Sequence, residues 1–143
     1  MIDFNGFTYN VDKTVGSAGT ETNGFQLLKG SKVTLKNGTL TSNTAKILIQ
    51  NYSELTVLDM NLDGTKSPAC GYVISNNNGS CDILGNTDIT AAPGKKAFDV
   101  CVTTNYPDGV VVTIDTTGTI TGAIEYDVWD AVPAENKTGL NIK

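Results

Sequence analysis

No histidine and no arginine occur in these 143 residues, so all ten basic side chains are lysines. Without imidazole, no unperturbed side chain titrates near neutrality to act as a general base, and the commonest nitrogen ligand for a metal is missing. Without guanidinium, no planar fork can clamp a carboxylate or phosphate. The ten lysines face fifteen carboxylates, giving a net charge of −5 and a pI near 4.5. An acidic chain with no basic cluster does not attract a phosphate backbone, which excludes nucleic acid as a partner. Aspartates are never adjacent, so the side-by-side Asp pair of many hydrolases is absent too.

Other scarcities narrow the class further. No apolar run approaches the roughly 20 residues needed to cross a bilayer. The opening MIDFNGFTYNV lacks a basic stretch followed by an apolar one, so it is no signal peptide. Three cysteines (Cys70, Cys81, Cys101) allow at most one bridge. Cys81 in SCDIL and Cys101 in FDVCV sit in strand-like runs, where a thiol behaves as a small buried hydrophobe. Aromatics make up only 7% of the chain, and the helix formers Leu, Glu, Lys and Ala are not enriched. Thr, Asn, Gly and Asp dominate instead, which favours strands and turns.

What is present repeats. SKVTLKNGTL (Ser31 to Leu40) is answered column by column in SELTVLDMNL (Ser53 to Leu62). Val33 answers to Leu55, Leu35 to Val57 and Leu40 to Leu62. Looser copies follow in SCDILGNTDI and VVVTIDTTGTI. Self-similarity at a period of about 20 to 50 residues is the mark of a solenoid. A second apolar strand recurs in FQLLKG, KILIQN, YVISNNN, FDVCVTTN and AIEYDV. Asn51, Asn78 and Asn105 end the middle three, where they could stack as a ladder at a corner. Alternation points Val33, Leu35, Leu55, Val57, Val112 and Ile114 inward and Thr34, Lys36 and Thr113 outward. Loops at Gly64 to Ala69, Ala91 to Lys96, Tyr106 to Gly109 and Asp130 to Lys137 lengthen the later coils. The pattern predicts one domain over residues 1–143: an all-β solenoid of about five coils.

VTLKNGTLTSN, LTVLDMNLDGT and CDILGNTDITA resemble coils of right-handed, single-stranded parallel β-helix proteins of the pectin-lyase-like superfamily. They resemble in particular the repeats of large surface proteins of gut Firmicutes and their phages, and IDFNGFTYNV resembles the coil that opens such regions. The resemblance implies a segment of a larger protein at a cell surface, secreted, or on a virion. The chain also opens and stops in a strand pattern with no capping element, as such a segment would.

Candidate chemistry is sparse. Asn86-Thr87-Asp88 matches the N-T-D tripeptide of polygalacturonases, whose Asp pair, Gly-His-Gly and Arg-x-Lys are missing here. It reads equally as a turn before Ile89. Asp59 and Asp63, with the carbonyls near Gly64, form the best oxygen cluster for Ca²⁺, but no calcium-loop pattern accompanies them. Neither a cofactor nor a catalytic residue is therefore expected. Sugars stack on aromatic faces and bond to Asp and Asn. Tyr106 and Asp108 in TTNYPDG, with Tyr126 and Trp129, are the candidate ligand-binding residues, and Trp129 has a second reading as a cover for the coil stack. The expected function is a non-catalytic structural or adhesive segment. Its partners would be a glycan, a surface protein, or further copies meeting through coil ends or sides. The rival is a carbohydrate-active β-helix working with Asp residues, which three acidic side chains clustered inside a groove would favour.

Overall fold

The computed structural model describes residues 1–77, 79–102, 111–128 and 140–143. Among them every element is a strand. In chain order these are β1 (Ile2–Asp3), β2 (Thr8–Val11), β3 (Asn23–Leu27), β4 (Lys32–Ser42), β5 (Ile47–Asn51), β6 (Glu54–Asp63) and β7 (Tyr72–Asn77). There follow β8 (Ser80–Gly85), β9 (Asp88–Thr90), β10 (Lys96–Val102), β11 (Val112–Thr116), β12 (Ile120–Thr121), β13 (Ala123–Val128) and β14 (Leu140–Ile142). One sheet stacks β1, β4, β6, β8, β11 and β14 in that order, with β2, β9 and β12 beside them. The other stacks β3, β5, β7, β10 and β13. Strand pairing in both is parallel, and each strand meets its counterpart from the next coil. The chain is a parallel β-solenoid.

Each coil has three legs. β4 and β6 supply two of them in one bent strand, and the bends fall at Asn37 (φ 59°) and Asp59 (φ 52°). Asn and Asp tolerate this left-handed conformation because a short polar side chain can bond the backbone locally. One coil later the bend falls at Gly85 (φ 65°), and the strand divides there into β8 and β9. The third leg lies in the other sheet.

Register puts like on like. Val33 pairs with Leu55, Leu35 with Val57 and Leu40 with Leu62, as the repeat in the sequence requires. Leu55 then pairs with Cys81 and Cys81 with Val112, so the interval lengthens from each coil to the next. On the third leg Phe25, Ile49, Ile74, Phe98 and Ile124 form one column. Leu35, Val57, Ile83, Leu40, Leu62, Ile89, Ile49, Ile74 and Phe98 have no exposed surface at all. Each contributes on the order of 1.5–3 kcal/mol relative to exposure, so the interior stack is the main source of cohesion. The first added length is absorbed outside the strands, in residues 64–71, which stand where the coil before has only 43–46. Residues 91–95 are shorter than 64–71, so the next increase falls after β10, largely outside the described residues.

Three expectations change. The solenoid has about four turns, not about five; the last described stretch, β14, adds one leg and not a full coil. The asparagine ladder exists, but Asn76 stacks on Asn51, Nδ2 to Oδ1 at 2.6 Å. The register of β5 on β7 sets Asn76 opposite Asn51, whereas Asn78 and Asn105 lie outside the described residues. The ladder has two rungs, since the same column holds Leu27 before it and Val100 after it. All three cysteines are free, and Cys70 and Cys81 are buried. Cys101 is only half-buried, because its place in β10 points away from the core and beside Asp127.

Candidate functional site

The residues singled out from the sequence do not converge. Tyr106, Asp108 and Trp129 lie outside the described residues. Tyr126 sits on β13 in register with the buried Val100, so it continues an interior column. It is 45% exposed, because among the described residues no strand stacks on the far side of β13.

Asp59 and Asp63 serve the backbone. Asp59 Oδ1 accepts the Asn86 N–H at 2.8 Å, tying the bend of one coil to the next. Asp63 Oδ1 accepts both the N–H and the hydroxyl of Thr65. Among the described residues no group of three or more His, Cys, Asp or Glu is arranged to hold a metal ion. The N-T-D tripeptide is also built into the scaffold. Thr87 is fully buried; its hydroxyl donates to the Leu84 carbonyl at 2.7 Å and accepts the Met60 N–H at 3.2 Å. Asp88 Oδ1 accepts the Thr119 N–H at 2.7 Å.

Two other places concentrate side chains of interest. At the start of the solenoid, Ile2, Phe4, Phe7, Thr8, Tyr9 and Phe25 line a groove of about 420 Å³. Phe4, Tyr9 and Phe25 meet there ring to ring, with centroids 6.4 and 6.1 Å apart and planes tilted by 56° and 52°. These spacings suit edge-to-face contacts. The lining is nearly all apolar because this is the inside of the first coil, seen end-on.

The second place is the outer face of the sheet that holds the third legs. Gln50, Ser75, Asp99 and Glu125 stand in one column on β5, β7, β10 and β13. Gln50 Nε2 donates to the Ser75 carbonyl at 3.1 Å, and Ser75 Oγ donates to Asp99 Oδ2 at 3.1 Å. Glu125 pairs with Lys96 at 3.0 Å and accepts from the Tyr72 hydroxyl at 3.5 Å, the long end of the hydrogen-bond range. Asp127 follows Glu125 on the same side of the strand. Burial, then the charges of Glu125 and Asp127, push the Asp99 carboxyl above the ordinary aspartate value, against the pull of Ser75 and Lys96. Burial also raises the Cys101 thiol, helped by Asp99, Asp127 and Glu125. So one face carries a protonatable carboxyl beside two others. It is an open sheet face and not one of the grooves described here, and its acidic groups point outward.

Sequence reading missed this column because its members are four different residue types. Their spacing along the chain matches that of the Ile49, Ile74, Phe98 and Ile124 column beside them. Aligning the third-leg strands would have placed them together. No protein-family model, no curated protein and no solved structure matches this chain.

Proposed function

We propose that the chain is a non-catalytic structural segment, a stiff solenoid spacer within a larger protein of a cell surface or virion. On this reading it belongs with the pectin-lyase-like β-helices that its repeats resemble, and its loops offer weak contact to glycans or to another surface protein. One observation carries the reading: polar side chains that a catalytic or metal site would need are instead committed to joining one coil to the next. Asn51 to Asn76, Thr41 to the Asp63 carbonyl, Asp59 to Asn86 and Thr116 to Thr87 are all bonds between successive coils. Such bonds make a rigid rod, since each coil is fixed to its neighbours by side chains as well as by the strand ladder.

A glycan array combined with a reducing-sugar assay over polyuronides and neutral polysaccharides tests this. Weak binding or none, and no sugar released, is the expected result; release from any substrate overturns the reading. The rival, a carbohydrate-active enzyme, draws support from Asp99 and Glu125, two carboxyls in register with unlike surroundings. That is the pattern of an acid and a base. If sugar is released and Asp99→Asn abolishes release, the rival replaces the structural reading.

A further inference from the structure

The polar column on the outer face of the third legs has a direction. Gln50 Nε2 donates to the Ser75 carbonyl at 3.1 Å and, at 3.5 Å, to the Ser75 hydroxyl oxygen, and that hydroxyl donates to Asp99. The next position outward is Glu125, in register across the β10·β13 seam. There the run of donors stops, because an ionised Asp99 carboxylate has no proton to give to Glu125. Around Asp99 the charged and titratable groups are Tyr72 on β7, Lys96 and Cys101 on β10, and Glu125 and Asp127 on β13. Lys96 is the one cation among them, and it is paired with Glu125. Three carboxylates thus meet at a seam with one lysine. The strand beyond the seam, β13, has a partner on one side only among the described residues.

We propose that Asp99 is the proton-binding element of a clasp that fastens β13 to the solenoid in acid and loosens it as the pH rises. A proton from solvent binds one oxygen of the Asp99 carboxylate, and no other bond is made or broken covalently. The protonated carboxyl then donates to Glu125, and the chain Gln50, Ser75, Asp99, Glu125 runs unbroken across four strands. One negative charge leaves the seam in the same step. A charge-assisted bond between a carboxylic acid and a carboxylate is among the stronger hydrogen bonds a protein makes.

The elevated proton affinity of Asp99 agrees in sign. A folded value above the ordinary 3.8 means that the closed seam binds the proton more tightly than the open one. The stabilisation is complete below 3.8 and is lost as the pH rises through the folded value.

Amide hydrogen exchange of the whole chain tests the clasp, with each rate divided by its intrinsic rate at the same pH. Protection of β13 amides should rise on acidification from about pH 7 to about pH 4, by up to tenfold per pH unit where one proton is taken up. Amides of β5 in the same sample should not move. Asp99→Asn carries a permanent donor and should hold β13 protected at every pH. Glu125→Gln supplies a donor from the other side and should also flatten the profile while lowering the Asp99 midpoint, read from its carboxyl carbon by NMR. Asp115→Asn removes an exposed carboxylate on the other sheet and should leave the slope unchanged. The clasp is overturned by a flat β13 profile in the natural chain. It is equally overturned by a slope that survives Glu125→Gln, a variant that stands even if Asp99→Asn does not fold.

Discussion

Two residues show how much of the fold rests on single polar atoms. Asn51 has no exposed surface, and its amide is fully engaged. Oδ1 accepts the Ser53 N–H and hydroxyl, while Nδ2 donates to Asn76 Oδ1 and to the carbonyls of Ser53 and Ser80. Asn76 beyond it accepts that bond and donates to the Gly79 carbonyl. Removing a partner from a buried polar group leaves the desolvation cost without the bond, about 1–3 kcal/mol for each orphaned group. Asn51→Ala should therefore cost about 3 kcal/mol or more and Asn76→Ala roughly half of that, measured as urea midpoints with unchanged slope. Both variants lose the ladder bond, so the reverse order would mean that the bond from Asn76 to Gly79 stabilises the fold more than the corner around Ser53 does. Gly85 makes the complementary case. Its φ is 65°, and a Cβ built there would collide with Asp59 Oδ1. Gly85→Ala meets both left-handed strain and that clash, so a loss of about 2–3 kcal/mol is expected. In an Asp59→Gly background the strain and a contact with the flexible end of Leu58 are left, and the same substitution should cost about 1–2 kcal/mol. Additive costs in that cycle would show that the collision with Asp59 contributes nothing.

At the scale of the element, the legs differ in how plainly the sequence announces them. The bent strands β4 and β6 were legible because both faces of the ladder are specified: Leu35 and Val57 point in, Thr34 and Thr56 out, and a slip of one residue would bury the threonines. The Asn37 bend was legible too, since Asn-Gly is a turn signal. Asp59 was not, because a carboxylate near a glycine reads as well for an oxygen ligand as for a left-handed corner. Asn76 was hidden among consecutive asparagines, where only the length of the preceding loop decides which one reaches Asn51. The first element carries a pH dependence opposite to that of β13. Asp3 on β1 accepts the Asn5 N–H at 2.9 Å and pairs with Lys36 at 3.1 Å. The Asn5 N–H first, then Lys36, hold its carboxyl below the ordinary 3.8. A lowered folded value gives stability that is present above 3.8 and lost as the pH falls through the folded value. Acid should thus loosen the Asn5 amide while it protects β13. Exchange at Asn5 should accelerate, relative to its intrinsic rate, only below about pH 4, and Asp3→Asn should remove that acceleration. A single common pH response at β1 and β13 would mean that net charge governs both.

For the whole molecule, the same stacking that closes the interior leaves the first coil open on one side. Phe7 is 70% exposed and Tyr9 52%, next to the Phe4 and Phe25 rings. Apart from Asn23, whose N–H and carbonyl bond Val15, the outer edges of β2 and β3 have no strand partner among the described residues. Apolar surface and free strand edges coincide at this end, and that combination favours pairing with another chain. A further coil satisfies both at once: its strands complete the ladder while its aliphatic side chains fill the groove. A sugar could stack on the rings but would leave the strand edges without a partner, so it satisfies one of the two features and not both. On the spacer reading the occupant is another piece of solenoid, and in isolation a second copy takes its place. Sedimentation velocity should therefore show a concentration-dependent mass above the 15.1 kDa of one chain. Phe7→Glu combined with Tyr9→Glu should return the protein to the mass of one chain. Phe7 is largely in solvent already, while Tyr9 also gives up its ring contacts with Phe4 and Phe25, so a loss of about 1–2 kcal/mol is expected. A single-chain mass at every concentration would show that this end stays uncovered in solution. Association that survives both substitutions would place the contact on the sides of the solenoid.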